Sequence, residues 1–228
     1  MQQQGIEDVG ELGLEKWQTS SRAERVYETL LGSIQNGEYE GGRRVREEEV
    51  ASTLGVSRTP VREALSRLQS RGLLEFAPSG GLIVTKLTRP RTVELYAVRE
   101  ILEGSAARFA AQHASEAEIL ALGQISDVFV ETTDPVKLAR LNRQFHLAIH
   151  EAAHNRYLTR TLNEFDDTLA LLPGTTFAVP ERHELAVAEH AQIVDAIKNR
   201  DPDEAERAAR FHIRQAQDAR LAMLFSYT

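Results

Sequence analysis

The fold of the N-terminal part of this chain is decided by Leu54-Gly55-Val56-Ser57-Arg58-Thr59-Pro60-Val61-Arg62-Glu63-Ala64-Leu65. This stretch predicts the turn and second helix of a helix-turn-helix, because Gly55 can adopt a turn conformation that is costly for most side chains. Ser57 is a typical helix N-cap, and Pro60 falls in the first helical turn, where its missing N–H costs nothing. The predicted buried face carries apolar residues at helical spacing: Val61, Ala64, Leu65 and Leu68.

The opposite face of this helix is polar and basic, which suits contacts to phosphates and base edges. Between Val56 and Gly72 there are four arginines and one glutamate, a formal +3, although the whole chain of 228 residues carries -7. A charge run alone indicates only a solvated helix face, but the preceding turn and N-cap favour binding to double-stranded DNA. The polar face contains Arg58, Thr59, Arg62, Ser66 and Arg67.

The sequence lacks the features of disulfide-stabilised, thiolate–metal, membrane-spanning and secreted proteins. The chain contains no cysteine, so neither a disulfide framework nor a thiolate metal site is possible. No apolar run approaches the roughly 18 residues needed to cross a bilayer. The N-terminal Met1-Gln2-Gln3-Gln4-Gly5 lacks the basic-then-apolar pattern of a signal peptide. We therefore expect a cytoplasmic protein with no membrane partner.

The N-terminal third predicts a DNA-binding domain behind a short tail. Residues 1–18 are polar without a sustained period, and we expect a flexible N-terminal tail there. Residues 19–87 are expected to form a winged helix-turn-helix. The pattern predicts helices over about 20–36, 46–54 and 57–71, then a β-hairpin with apolar runs at about 73–76 and 82–85. The tip of this hairpin, at Gly80 and Gly81, is a candidate for contact with the adjacent groove or backbone.

Residues 88–228 predict a second, all-α domain, so the chain as a whole is expected to be mostly α. The expected linker is Thr88-Arg89-Pro90, and strand patterns disappear after it. A loop is expected at about 173–181. The remaining sequence predicts about six amphipathic helices, over roughly 91–113, 115–131, 135–154, 155–172, 182–199 and 202–224.

Four polar residues of this predicted bundle could converge on a divalent cation. Asn142 and His146 are four residues apart, so they project from one face of a helix. His190 and His212 lie on the last two predicted helices. One amide oxygen and three imidazoles suit zinc, nickel, manganese or iron. The alternative is that these are hydrogen-bonded core histidines, and spacing alone leaves both possibilities open.

Neighbouring residues extend the same pattern. His150 and His154 continue the four-residue series, and we expect them at the edge of the bundle. His183, two turns before His190, could rim the same cavity. Arg99 and Glu103 are four residues apart and carry opposite charges, and spacing alone explains them as a surface ion pair no better than as part of a functional site.

Two sets of motifs resemble a known family. The segment from Gly55 to Leu65 resembles the signature of GntR-family bacterial transcription regulators. Further segments resemble the FadR-like branch of that family, which carries an FCD-type effector domain: Asn142-Arg143-Gln144-Phe145-His146, Glu189-His190-Ala191-Gln192-Ile193 and Arg210-Phe211-His212. The resemblance implies a winged helix-turn-helix followed by an antiparallel helical bundle that holds a metal. It implies the metal ligands Asn142, His146, His190 and His212, the DNA contacts Arg58, Thr59 and Arg62, and Arg99 as an effector-binding anion anchor.

Two departures from the family pattern bear on function. Position 142 is usually aspartate, and the neutral amide of Asn142 leaves a bound divalent cation unneutralised, which favours a carboxylate effector. Glu48 stands where relatives often have a DNA-contacting arginine, and the wing tip has glycines where arginine or histidine is common. Arg43, Arg44 or Arg46 could replace the lost contacts. The predicted DNA-binding set is Arg46, Ser57, Arg58, Thr59, Arg62, Arg67, Gly80 and Gly81.

These features predict a ligand-responsive transcriptional regulator. We expect a homodimer on a palindromic operator, since one recognition helix reads few base pairs. A small organic acid bound at a zinc, nickel or manganese site would control it. The alternative is a dimeric DNA-binding regulator whose bundle only dimerises, with structural histidines and no metal. An enzyme is not expected, because no nucleophile–base motif is visible and Glu151 to His154 gives one Glu-x-x-His where a di-iron bundle needs two.

Overall fold

The computed structural model describes residues 21–225 of the chain. The expected tail, residues 1–18, lies outside the described residues, as does the expected helix start at residue 20. The chain divides into two compact units. The first runs to Lys86 and includes Asp167–Leu172, and the second comprises Leu87–Asp166 and the residues from Pro173 onward. Within residues 21–225, no helix is both long enough and apolar enough to cross a membrane.

The first unit confirms the winged helix-turn-helix that the sequence predicts. Its elements are α1 (Arg22–Gln35), β1 (Arg44–Val45), α2 (Glu47–Leu54), α3 (Arg58–Ser70), β2 (Leu74–Phe76) and β3 (Leu82–Val84). The strands form one antiparallel sheet in the order β1-β3-β2, with Leu74 opposite Val84 and Arg44 opposite Ile83. The sequence did not predict β1, because two residues are too few to show a strand period.

Local chemistry fixes the ends of these helices. The hydroxyl of Ser21 accepts a hydrogen bond from the backbone N–H of Glu24 and caps α1. Gly55 ends α2 in the left-handed conformation, with φ of 63°, as its expected role in the turn requires. Ser57 occupies the N-cap position of α3, as predicted. Its side chain makes no capping hydrogen bond, however, and the residue is exposed.

The buried face of α3 is the one predicted from the sequence. Val61, Ala64, Leu65 and Leu68 are each at most 2% exposed, and α3 packs against α1. Full burial of a Val or Leu side chain contributes about 1.5–3 kcal/mol of hydrophobic stabilisation. This packing fixes the rotation of α3, so that its polar face points outward.

The second unit is an all-α bundle, again as predicted. Its helices are α4 (Arg89–His113), α5 (Glu116–Glu131), α6 (Pro135–Ala152), α7 (Arg156–Leu169), α8 (Arg182–Lys198) and α9 (Pro202–Phe225), with a short 3-10 turn at Thr176–Ala178. The end of α7, from Asp167 onward, belongs to the first unit. The expected linker at Thr88-Arg89-Pro90 is wrong in part. Thr88 is the N-cap of α4, and Pro90 lies in its first turn, where proline is well tolerated. The chain without regular structure is residues 85–88.

Small residues let the helices of this bundle approach closely. Its core is rich in alanine, and α4 packs against α6, α8 and α9. A Cβ atom on Gly104 of α4 would lie 2.6 Å from Cγ of Arg210 on α9, so a larger residue there would displace that side chain. Ser115 and Glu118 form a reciprocal capping box at the start of α5, as the sequence indicates. Through this close packing, α4, α6, α8 and α9 surround the interior of the bundle.

Candidate DNA-binding surface and candidate metal centre

The outward face of α3 and the residue before it presents the polar side chains predicted to contact DNA. Ser57, Arg58, Thr59 and Arg62 are all exposed. The side chains of Arg58 and Arg62 keep 57% and 68% of their surface accessible. This face can therefore enter a groove of duplex DNA without any rearrangement of the core.

The arginines of α3 are paired with carboxylates from other helices. Arg58 Nη2 donates to Glu48 Oε1 of α2. Arg62 uses Nε and Nη2 to contact both carboxylate oxygens of Glu47, at 3.2 and 3.0 Å. Glu47 and Glu48 of α2 therefore bring two negative charges to this surface, which offset part of the +3 counted along the sequence.

Arg67 is tied to α1. Its guanidinium pairs with Glu24 and lies over the ring of Tyr27, with its central carbon 4.1 Å from the ring centroid. Both contacts hold a cation in place without any ligand. Of the predicted DNA-binding residues, Arg67 thus has the clearest structural role within the protein.

The remaining predicted contacts lie at the start of α2 and at the wing. Arg46 is exposed at the N-cap position of α2. Gly80 and Gly81 form the turn between β2 and β3, each with φ of 80°, which explains why this tip carries glycine. Arg44, which sequence reasoning named only as a possible substitute, donates from Nη2 to the Ser79 hydroxyl at 2.7 Å and so lies along the wing.

Three buried histidines meet in the interior of the bundle. His146 on α6, His190 on α8 and His212 on α9 are between 0% and 4% exposed. Their ligand nitrogens all lie within 4.8 Å of one another. Nε2 of His146 is 3.2 Å from Nε2 of His212. Tetrahedral coordination with metal–nitrogen bonds of about 2.05 Å separates ligand nitrogens by about 3.3 Å, so this spacing fits a metal site.

Two carboxylates orient these imidazoles. Nδ1 of His146 lies 3.1 Å from Oε2 of Glu103, and Nδ1 of His212 lies 2.6 Å from Oε2 of Glu189. We assign the proton to Nδ1 in both rings, since a carboxylate accepts. Two unprotonated Nε2 atoms then face each other. Such carboxylate–histidine pairs are the usual support of a histidine metal ligand.

Unpartnered polar atoms mark the same interior. Both ring nitrogens of His190 and Oδ1 of Asn142 are buried. None of these three atoms has a hydrogen-bond partner among the described residues. Asn142 lies one helical turn before His146. Buried polar atoms without partners are costly, and a divalent cation would satisfy them. The donor set therefore fits a metal ion, with Asn142 contributing an amide oxygen.

Protonation states also suit metal binding. Burial lowers the pKa of His190 well below its usual value, and repulsion by Arg182, and by His212 and His146 when they are protonated, adds to this effect. Burial likewise lowers the pKa of His212, reinforced by His146 and Arg182. Both rings are thus neutral at neutral pH, as a metal ligand must be. Glu103 is ionised: burial opposes its charge, but His146, His150 and Arg99 together hold its pKa well below the usual range.

The structure corrects one expectation around this centre and decides a question that spacing left open. His150, expected at the edge of the bundle, is fully buried, and its Nε2 lies 2.9 Å from Oε2 of Glu103. Arg99 and Glu103 form a buried pair, with Nε 3.1 Å from Oε1, and not a surface pair. The expectation for His154 at the edge holds, since half of its side chain is exposed. His183 is half-buried and contacts the carbonyl oxygen of Phe129 at 2.9 Å.

Sequence reasoning missed Glu189 and Arg182 as members of this cluster. Arg182 holds both carboxylate oxygens of Glu189, at 3.0 and 2.7 Å, with both side chains buried. The signal was present, because residues seven apart share a helix face and Glu189 directly precedes His190. Each carboxylate that contacts a candidate ligand is therefore neutralised by its own arginine.

Known proteins share both halves of this architecture. The family description of bacterial regulatory proteins of the gntR family matches residues 22–84, and the FCD domain matches residues 94–215. A probable D-xylose utilization operon transcriptional repressor of Paenarthrobacter nicotinovorans is 33% identical over 194 residues, which cover 84% of this chain and 85% of that protein. The Glc operon transcriptional activator of Escherichia coli strain K12 is 31% identical over 196 residues, covering 74% of this chain and 76% of that protein.

A solved structure supports the same fold. The structure of E. coli McbR/YncC is similar with a TM-score of 0.75 and 22% sequence identity, covering 91% of this chain and 99% of that one. The family and its relatives are transcriptional regulators and not enzymes. Motif, fold and relatives agree: the chain belongs to the GntR family of bacterial regulatory proteins and is a DNA-binding transcriptional regulator of the FadR type with an FCD domain.

Proposed function

We propose that this regulator is a homodimer that binds a palindromic operator and responds to a small carboxylate effector held at a metal site in its helical domain. The proposed DNA-binding domain comprises residues 19–87, and the proposed effector-binding and dimerisation domain comprises residues 88–228. The observation that carries the proposal is the buried trio His146, His190 and His212, whose ligand atoms converge while neither ring nitrogen of His190 has a hydrogen-bond partner within residues 21–225.

The proposed metal ligands are Asn142, His146, His190 and His212. Zinc, nickel and manganese all suit such nitrogen-rich sites, and availability decides among them. When bound, the cation would supply a positive centre that attracts an anionic oxygen. Glu103 and Glu189 hold two of the rings with Nε2 directed to the interior. The chain thus provides the ligand orientation before any ion enters.

The charge of the ligand set supports an anionic effector. None of the four proposed ligands carries a negative charge, and Glu103 and Glu189 are each paired with a buried arginine. A divalent cation would therefore keep an uncompensated charge in a buried site, which a carboxylate could neutralise. Arg99 is the proposed anchor for that carboxylate. Its guanidinium hydrogen-bonds Glu103 through Nε, and its terminal nitrogens make no hydrogen bond to the described residues.

The proposed DNA contacts follow from exposure and charge. Arg58, Thr59 and Arg62 would face base edges in the major groove, with Ser57 and Arg46 at the phosphates. Gly80 and Gly81 would bring the wing backbone close to the adjacent groove. One such helix reads few base pairs, so a two-fold dimer on a palindrome is proposed. Binding of metal and acid would favour one arrangement of the bundle, with a coupling no larger than the effector's differential affinity for the two arrangements.

The competing function is a dimeric regulator whose histidines are structural. It is favoured by the 3.2 Å contact between Nε2 of His146 and Nε2 of His212, which a single shared proton could also explain. A thermal-shift screen of small carboxylates, with and without Zn²⁺, Mn²⁺ or Ni²⁺, separates the two. The sensor proposal expects stabilisation by a metal and further stabilisation by an acid; no response to any metal would favour the structural alternative.

Metal content tests the ligand assignment directly. We expect His146→Ala, His190→Ala and His212→Ala each to lower metal bound per chain, measured by elemental analysis after purification without chelator. His154→Ala is the matched control, since this ring is half exposed and lies outside the trio. Wild-type protein that contains no metal and takes up none on titration would contradict the proposal.

A further inference from the structure

Glu48 and Arg58 form an ion pair on the surface that faces DNA in the proposed function. Glu48 lies in the first turn of α2 and Arg58 at the first position of α3, and their side chains are 73% and 57% exposed. Among residues 21–225, the arginine is bound through Nη2 to a single carboxylate oxygen. Because a guanidinium carries five N–H donors and Nη2 has two of them, Nε, Nη1 and the second hydrogen of Nη2 remain available for a second partner.

The neighbouring arginine is held in a related way. Glu47 contacts Nε and Nη2 of Arg62, and Nη1 makes no hydrogen bond within the described part of the chain. The Arg62 side chain lowers the pKa of Glu47 through its hydrogen bond, so this carboxylate is ionised at neutral pH. Two adjacent carboxylates of α2 thus hold the two arginines that lead α3, and each pair leaves donors for a further contact.

The two kinds of DNA contact respond differently to such a carboxylate. Binding to random duplex depends on phosphate charge, and a carboxylate among the contacting groups repels phosphates within about 10 Å at 0.1 M salt. A base that is read by arginine presents two acceptors to one edge of the guanidinium. This contact requires the guanidinium to be held in a fixed orientation. A carboxylate that stays bound to the other edge of the guanidinium supplies this orientation.

We propose that Glu48 is a specificity-determining residue of this regulator. It remains paired with Arg58 in the operator complex, where it orients the guanidinium toward a base edge. On other sequences the same carboxylate repels the phosphates and keeps Arg58 from serving as a general phosphate contact. The inference rests on the proposed contact between Arg58 and DNA. It gives the acidic residue Glu48 a role on a surface proposed to bind the negatively charged DNA.

The test compares Glu48→Gln with the wild type, using the full-length protein and two duplex probes. One probe is the sequence most enriched by the wild-type protein from a random pool, and the other is a shuffled duplex of equal length and composition. Affinities are measured by fluorescence anisotropy at several salt concentrations. Because Glu48 is exposed and makes no core contact in the described structure, the substitution leaves the fold intact.

We expect Glu48→Gln to bind the shuffled duplex about twofold to fivefold more tightly, the range that corresponds to one exposed charge pair. The salt dependence of that binding should become steeper by up to about one phosphate contact. Affinity for the enriched duplex should stay unchanged or fall, so the ratio of the two affinities decreases. Equal tightening on both probes, or no change on either, would overturn the proposal.

Two control variants separate this role from general charge and from the DNA-contact assignment. Glu49→Gln removes the same charge from the same helix, but Glu49 faces Arg43 at 3.6 Å and not α3. An equal loss of selectivity in Glu49→Gln would overturn the specific role of Glu48. If Arg58→Ala retains full preference for the enriched duplex, the proposed Arg58 contact itself fails. In an Arg58→Ala background, Glu48→Gln should no longer alter the preference.

Discussion

Nδ1 of His212 lies 2.6 Å from Oε2 of Glu189, and both side chains are buried. Glu189 is in turn held by both terminal nitrogens of Arg182. The chain Arg182–Glu189–His212 therefore fixes one imidazole by a carboxylate that is itself fixed. An arrangement of this kind is expected where the far nitrogen of the ring must be aimed at a ligand.

Glu189→Gln should weaken metal binding without removing a ligand. The amide cannot accept the Nδ1 proton as strongly as the carboxylate, so the ring loses basicity and orientation. We expect a loss of about 10- to 100-fold in zinc affinity, the usual effect of removing such a support. Competition titration with a chromophoric chelator measures it. Glu184→Gln, exposed on the same helix, is the control, and equal affinities for all three proteins would contradict the role of Glu189.

Asn142→Asp should strengthen metal binding and make it less dependent on an acid. The substitution adds a negative charge at a proposed ligand and neutralises part of the cation's charge. We expect at least about a tenfold gain in zinc affinity by the same titration, since 1.4 kcal/mol corresponds to tenfold and buried opposite charges contribute at least that. Gln144→Glu adds the same charge at an exposed position of α6. A gain of similar size in that control, or none in Asn142→Asp, would refute the assignment of residue 142.

Metal-free protein should lose stability as the pH falls below about 6.5. Burial and neighbouring charges lower the native pKa of His190 and His212, whereas unfolded histidine titrates near 6.5. Below that value the unfolded state binds more protons than the native state, so the free energy of unfolding decreases, by at most about 1.4 kcal/mol per pH unit for each ring. Glu103 acts in the same direction only below its ordinary pKa near 4.5.

Urea unfolding at pH 7.5 and 5.5 in the presence of EDTA measures this decrease. His190→Gln removes one titrating ring and should show a smaller decrease than the wild type. His154→Gln, which alters a half-exposed ring, should show the wild-type decrease. The same pH dependence in His190→Gln and wild type would show that the buried ring does not set it.

The ends of most helices could be predicted because capping residues and prolines close to each end in the sequence determine them. Ser115 with Glu118, and Asp134 before Pro135, mark helix starts within a few residues of sequence. Arg89 and Pro90 were predicted to lie in a linker, whereas they begin α4, where proline is compatible with the first helical turn. The strand β1 was not predicted because two residues are too short to show a strand period. Its pairing with β3 is what defines it as a strand.

The net charge at each candidate site depends on contacts between residues that are far apart in the sequence, and sequence patterns do not predict such contacts. Glu24 and Arg67 are 43 residues apart, and His150 meets Glu103 across 47 residues. Periodicity places His150 on a helix face but does not show which helix covers that face. The three histidines and Asn142 were predicted from spacing and family resemblance. The carboxylates that orient their rings could be found only from the packed bundle.

We propose above all that the arginines at the start of α3 read duplex DNA. The most direct test of this proposal is fluorescence anisotropy at fixed salt with the enriched and shuffled duplexes, comparing wild type, Arg58→Ala, Arg62→Ala and the charge-matched control Arg160→Ala, whose side chain is exposed on α7. We predict that both α3 variants lose the preference for the enriched duplex, with an unchanged circular dichroism spectrum, while Arg160→Ala keeps it. Full preference in Arg58→Ala and Arg62→Ala would contradict the account.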